Sequence, residues 1–279
     1  MIDKVYLEIT NLCNLSCSFC HKTRRAGRMM TAEEYELLTA RLAGKARYLY
    51  FHLMGEPTLH PLLPEFIDRA RARGFLPMLT TNGSRLAECG DALVAHPLHK
   101  VSISIHAPEA NPRFSDTGYL DGCIGFAKKA AEAGTVVALR LWNLGSDADN
   151  SATLSRLHAA FPEEWRAARP GESERLAPRI YLEWGERFAW PDLNAPVPPE
   201  GAPTFCHGLR NHIGVLVDGT VVPCCLDADG VMALGNLYEA ELEEILASPR
   251  AVGIREGFVR REAVEEMCKR CGFATRFKK

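Results

Sequence analysis

The chain of 279 residues holds 10 cysteines, and their spacing is the first sign of chemistry. Cys13, Cys17 and Cys20 form a CxxxCxxC triplet. A second set is spread more widely: Cys206, then Cys224 or its neighbour Cys225, then Cys268 and Cys271 as CxxC. Cys89 and Cys123 stand alone and read as small buried hydrophobes. Clustered thiols form disulfides in an oxidising compartment and bind metal in a reducing one. The opening Met-Ile-Asp-Lys-Val-Tyr moves straight into a strand-like pattern, without the basic region and apolar run of a secretory signal. No stretch approaches the length of a membrane span. The expected location is the cytoplasm, and the expected cysteine chemistry is metal binding.

Three thiolates on one short loop can hold a single metal centre. A four-iron cluster takes four cysteine ligands, so three leave one iron open to a substrate or cofactor. The competing reading is a structural zinc with His21 as fourth ligand. His21 adjoins Cys20, however, and adjacent residues rarely converge on one tetrahedral ion. The second set offers four sulfurs, enough for zinc or a closed [4Fe–4S] cluster. Chemistry alone leaves that choice open.

The elements that must position these thiols alternate regularly. Strand-like runs cover 5–10, 48–53, 76–80, 101–105, 136–141 and 180–184, with helix-period segments at 31–42, 63–73, 85–94 and 120–133. Thr31 followed by Glu34 is a capping box, and Gly74 and Gly134 stand where helix C-caps are expected. This alternation implies an α/β fold with a parallel sheet and crossover helices. Ligands then belong at the C-terminal ends of the strands, where the triplet falls. Residues 1–145 read as the core. Residues 146–203 read as the last strand, an insertion and a linker, with a short helix at 151–161, a charged loop and a Pro-rich run at 191–203. Residues 204–279 read as a cluster-binding domain. It has a hairpin at 213–222 turning on Asp218-Gly219 and helices at 239–246 and 255–268.

CxxxCxxC after the first strand, with Phe19 before the last cysteine, resembles the radical S-adenosylmethionine superfamily. Gly55-Glu56-Pro57 resembles its glycine-rich motif, whose backbone receives the amino group of the cofactor's methionine. Thr80-Thr81-Asn82-Gly83 ends the third strand as is common there. Ser102 and Ser104 resemble the positions that contact ribose or carboxylate, and Arg140 suits a carboxylate partner. The superfamily's glycine-containing fifth-strand motif is absent. Cys206, Cys224, Cys268 and Cys271, with Gly219-Thr-Val-Val-Pro-Cys224, resemble the SPASM or twitch extension that carries auxiliary clusters. The chain stops soon after Cys271, so one auxiliary cluster is expected. The resemblance implies a partial (β/α)6 TIM-like barrel with a small C-terminal hairpin and helix domain. It also implies two [4Fe–4S] clusters, S-adenosylmethionine, and an electron donor such as flavodoxin or ferredoxin.

The implied reaction is reductive cleavage of S-adenosylmethionine to a 5′-deoxyadenosyl radical that takes a hydrogen from a substrate. Three substrate classes compete: a peptide or protein side chain, a small alcohol or sugar, and an RNA or cofactor. The triplet begins at Cys13, leaving no N-terminal peptide-recognition domain, which weakens the peptide reading. A net charge of -2 gives no general pull on nucleic acid or anionic membranes. The basic cluster of Lys269-Arg270 and Arg276 to Lys279 reads as a solvated terminus. An oxidation needs a base, and the candidates are His106, Glu186, His207, Asp227 and Asp229. Trp142, Trp184 and Trp190 read as packing. The competing class is a non-catalytic module held by two structural zinc ions.

Overall fold

The computed structural model describes residues 2–111, 118–163, 165–169, 173–199 and 201–277. The last two residues of the basic tail lie outside the described residues. In chain order the elements are β1 Lys4–Leu7, α1 Ala32–Leu42, β2 Tyr48–Tyr50, α2 Leu63–Ala72, β3 Leu76–Thr81, α3 Leu86–Ala95, β4 Lys100–Ser104, α4 Tyr119–Glu132, β5 Val136–Leu144 and α5 Ser151–Ala160. They continue as β6 Arg166–Arg169, β7 Ser173–Ala177, β8 Ile180–Glu186, β9 His212–Val215, β10 Thr220–Val222, β11 Gly235–Asn236, α6 Leu242–Leu246, α7 Pro249–Val259 and α8 Glu266–Lys269.

One sheet runs through the whole chain in the order β11-β10-β9-β1-β2-β3-β4-β5-β8-β7-β6. The stretch from β9 through β8 is parallel, and antiparallel ribbons extend both edges. The sheet does not close, giving a partial TIM-like barrel. The sequence division at 146 and 204 is not a break in this sheet. β8 joins at β5, and β9, from the cluster-binding segment, pairs with β1.

Period-2 alternation sorts the strands into two faces. Val5, Leu7, Leu49, Leu79, Val101, Ile103, Val137 and Leu139 are buried in one apolar core with Leu38, Leu42, Phe66, Ile67 and Ala127 of the helices. Tyr35 of α1 stacks on Phe66 of α2 at 3.9 Å, and its hydroxyl donates to the Phe66 carbonyl at 2.7 Å. The capping box at Thr31 and Glu34 is formed, and Gly74 and Gly134 adopt positive φ after their helices. The opposite strand face is left for a ligand.

Three local readings are corrected. The stretch after residue 161, expected as a loop, contains the β6–β7 ribbon. Its pattern on β7 has one buried position, Leu176, so no apolar alternation announced it. The helix expected at 255–268 is two helices, α7 and α8. Arg261 takes a left-handed φ of 65°, and a β-carbon on Gly257 would lie 2.6 Å from Val264 Cγ1, so the chain turns sharply between them. The helix expected at 239–246 begins at Leu242.

Candidate functional site

The triplet loop leaves β1 at the C-terminal edge of the sheet, where Cys13 is exposed and Cys17 and Cys20 are half-buried. The loop is anchored from beneath. Gly55 has φ 78°, and a β-carbon there would lie 2.5 Å from the Thr10 carbonyl oxygen and 2.7 Å from that of Leu12. Only glycine fits so close an approach. The Glu56 N–H donates to Leu12 O at 2.8 Å, tying the turn to the residue before Cys13. Burial pushes the Cys17 thiol up to about 11, aided by Cys13 and Cys20. Burial also raises Cys13, with Glu56 and Cys20 adding to it.

Glu56 is sealed inside the protein. Its carboxyl accepts from the Thr58 N–H (3.0 Å) and hydroxyl (2.7 Å), the Thr81 hydroxyl (2.8 Å) and the Asn82 N–H (2.7 Å). Burial nonetheless raises its carboxyl above the usual range. The structure therefore places Glu56 as the brace between the turn after β2 and the end of β3. Asn82, held by that brace, donates to Asn14 Oδ1 at 3.0 Å and lies 3.9 Å from Cys13 Sγ. Pro57 and Ser102 are buried, and Ser104 reaches the ligand face.

A cavity of about 310 Å³ opens on that face. Its walls include Tyr6, Tyr50, Thr80, Ser104, Arg140 and Trp142 from the strands, Phe19 from the triplet loop, and Cys225 and Leu226 from beside the second set. Arg140 donates from Nε to Glu183 at 3.1 Å, and Lys100 holds the other oxygen of that carboxylate at 2.6 Å. The guanidinium lies 5.0 Å over Trp142, so its orientation is fixed. His106 lines the cavity and places Nδ1 2.9 Å from the Arg140 carbonyl and 3.4 Å from the Trp142 N–H; the shorter contact favours Nδ1 as donor, which leaves Nε2 as the acceptor. Burial lowers its pKa, so the ring is neutral. His52 also lines the cavity, with Nδ1 buried and unpartnered among the described residues and burial lowering its pKa to about 3.

The second set gathers where β9 and β10 meet α8. A β-carbon on Gly208 would lie 3.6 Å from both Cys206 Sγ and Cys224 Cβ, so those two residues flank one glycine. Burial raises the Cys224 thiol well above its usual value, and Cys225, Cys206, Cys268 and Cys271 add to the rise. Burial lifts Cys271 to about 11. Phe188, Trp190, Leu226, Phe273 and Phe277 pack around the set. Cys225 packs in the same cluster and also lines the cavity. Among the described residues, no three Cys, His, Asp or Glu side chains surround a point suited to one ion. The thiols of each set are close enough to shift one another's ionisation, and a multi-iron cluster takes its thiolates on separate irons. The all-thiol donor sets fit iron–sulfur clusters. Cys123 is buried and Cys89 half-buried.

Of the five candidate bases, His106 and Glu186 line the cavity. Asp227 instead caps its own loop, accepting from the Val231 and Met232 N–H groups at 2.8 Å. Asp229 is bound to Thr23 and Arg24. His207 lies against Phe205 and Phe277 rather than on the cavity wall. Trp142 and Trp190 line the cavity, while Trp184 donates to Glu174. Sequence reading missed Tyr6, Tyr50, His52, Arg187, Phe188 and Phe273. The alternation of β1 and β2 put Tyr6 and Tyr50 on one face; the loop residues carried no local signal.

Comparison with known proteins agrees with this geometry. The radical SAM superfamily model matches residues 7–142, and the SPASM iron–sulfur cluster-binding domain model matches residues 206–272. The chain belongs to the radical SAM superfamily and carries a C-terminal SPASM domain. A probable GTP 3′,8-cyclase of Metallosphaera sedula is 25% identical, covering 92% of this chain and 90% of that protein. A probable GTP 3′,8-cyclase of Thermococcus kodakarensis is 29% identical, over 50% of this chain and 47% of that protein, so the chain spans about half of that relative. Among solved structures, BtrN in complex with AdoMet and 2-DOIA matches with a TM-score of 0.62 at 19% identity, covering 97% of this chain and 93% of that one. The anSMEcpe structure with bound AdoMet and Cp18Cys peptide matches with a TM-score of 0.63 at 14% identity, covering 98% and 89%. These structures share the fold. No helix among the described residues is long and apolar enough to cross a membrane.

Proposed function

We propose that the chain oxidises a small hydroxyl-bearing molecule by radical chemistry, in the cavity between its two cysteine sets. The observation that carries this reading is the shared wall: Phe19 of the triplet loop and Cys225-Leu226 beside the second set line one cavity of about 310 Å³. That volume suits a small ligand rather than an extended chain. Cys13, Cys17 and Cys20 would hold the cluster that binds S-adenosylmethionine, and Cys206, Cys224, Cys268 and Cys271 would hold the auxiliary cluster. When bound, these groups and S-adenosylmethionine supply the one-electron and hydrogen-atom chemistry. The chain's own residues do the rest. Gly55 and Asn82 shape the ground beside Cys13, and Arg140, fixed by Glu183 and Trp142, offers its remaining N–H groups to a carboxylate. The neutral His106 accepts a substrate proton at Nε2. A flavodoxin or ferredoxin is the fitting electron source.

A second reading, closure of a ring on a purine nucleotide, is favoured by the GTP 3′,8-cyclase relatives, of which the M. sedula protein aligns over most of both chains. One experiment separates them. The protein is reconstituted anaerobically and given reductant and S-adenosylmethionine with either carbon-deuterated cyclic polyols or GTP. We expect about eight irons per chain and deuterium in 5′-deoxyadenosine from a polyol. Turnover of GTP with no transfer from polyols would establish the second reading. A colourless zinc protein that never cleaves S-adenosylmethionine would sink both.

A further inference from the structure

The stretch around Cys20 is held by distant parts of the chain. Lys22 takes φ 61°, a left-handed conformation that residues with a β-carbon keep only where the surroundings impose it. The surroundings here are Ala228 and Asp229, just beyond Cys224 and Cys225. The Thr23 hydroxyl lies 2.8 Å from Asp229 Oδ1 and 3.0 Å from Ala228 O. The Arg24 backbone N–H donates to Asp229 Oδ1 at 2.8 Å, and the Arg24 side chain donates to Oδ2 at 2.7 Å. On the other flank, Trp190 Nε1 donates to the Phe19 carbonyl at 3.0 Å. Cys20 therefore sits between two grips, both supplied from beyond residue 185.

We propose that Asp229 is a positioning residue for cofactor cleavage. It pins Thr23 and Arg24, holds Lys22 in its strained conformation, and so fixes the Cys20 end of the triplet. The S-adenosylmethionine site is completed by the segment that follows the second cysteine set. The Arg24 side chain is 77% exposed, so its ion pair is screened and contributes little. The weight falls on the Arg24 backbone N–H and the Thr23 hydroxyl, which meet an Asp229 side chain only 10% exposed. The inference rests on reading Cys13, Cys17 and Cys20 as the ligands of the cofactor-binding cluster.

The test uses the cluster-loaded protein and S-adenosylmethionine as probe. Its binding is read from the change it causes in the electron paramagnetic resonance spectrum of the reduced triplet cluster. Asp229→Ala is expected to weaken that binding about tenfold, the worth of a hydrogen bond to a charged group, and to speed amide exchange over residues 19–25. Thr23→Val, which keeps the side-chain shape, should weaken it less, and Thr23→Ser should restore it. Arg24→Gln should change little. Lys22→Gly added to Asp229→Ala should recover part of the loss, because glycine adopts positive φ freely; loss of a merely structural brace would not respond. If Asp229→Ala loses iron from the second set, Thr23→Val carries the test. Variants that bind and exchange like the wild type, or a loss that Lys22→Gly leaves unchanged, overturn the positioning role. A wild-type spectrum that S-adenosylmethionine does not alter overturns the reading of the triplet itself.

Discussion

The two cysteine sets border one cavity and are built differently. The triplet lies on an open loop, with Cys13 exposed, and its support comes from backbone fit at Gly55 and the buried brace of Glu56. The second set is packed among Phe188, Trp190, Phe273 and Phe277, and burial raises all four of its thiols. An open centre with three thiols suits a ligand that must come and go. A centre with four thiols packed among aromatic rings suits a group that stays in place and is tuned by its surroundings. The difference teaches that position, as much as ligand count, separates a reacting centre from a supporting one.

The sharpest way to break this contrast is to remove one thiol from each set. Cys13→Ala should lose about half the iron and abolish 5′-deoxyadenosine formation. Cys268→Ala should lose the other half and keep cleavage of S-adenosylmethionine, now uncoupled from substrate. Iron analysis and product chromatography decide it, and equal loss of cleavage in both variants would end the distinction. The neighbouring pair refines it: Cys224→Ala should behave as Cys268→Ala, whereas Cys225→Ala should keep its iron and alter only turnover.

A smaller effect is expected at His106, which belongs to neither set. His106→Gln should lower substrate turnover by about 10²–10⁴ while 5′-deoxyadenosine still forms. If product and 5′-deoxyadenosine fall together, His106 shapes the cofactor site instead of taking a proton.

Much of this is legible in the sequence alone. Cysteine spacing marked both sets, and the capping box at Thr31 with alternation on β1 to β5 marked the parallel sheet. What was not legible depends on contacts between distant segments. The Gly-Glu-Pro motif pointed to a backbone contact with the cofactor, but nothing local announced the Glu56 side chain as a brace, since it takes four hydrogen bonds from residues 58, 81 and 82. Asp229 read as a candidate base, and its grip on Thr23 joins segments far apart in the chain. β7, in the ribbon at the sheet edge, buries Leu176 alone, so no period was there to read.

Gly55 tests whether the open set depends on backbone fit. Gly55→Ala forces a β-carbon against the Thr10 and Leu12 carbonyls and holds alanine at φ 78°. The expected cost is about 1–3 kcal/mol of stability, with weaker S-adenosylmethionine binding and an unchanged second set. Thermal unfolding and iron retention measure both. Loss of iron from the second set as well would show that the two sites do not respond separately.

The smallest expected effect separates scaffold from sites under acid. Both sets shed metal as their ligands protonate, so a fall in activity at low pH mixes cluster loss with unfolding. The scaffold's share is traceable at Glu36 on α1, where hydrogen bonds from Arg73 and then Arg69 hold the carboxyl down at about 2. A depressed folded pKa means the charged form stabilises the fold. That contribution is complete above the unfolded value, about 4.3, and is lost as pH falls from there towards 2. Glu36 is partly exposed, so screening keeps the contribution small. Glu36→Gln should therefore be slightly less stable than the wild type at pH 7, with the gap closing between pH 4 and 2 and shrinking in high salt. A gap that persists at pH 2 would assign Glu36 a packing role, and the acid sensitivity would then belong to the cysteine sets.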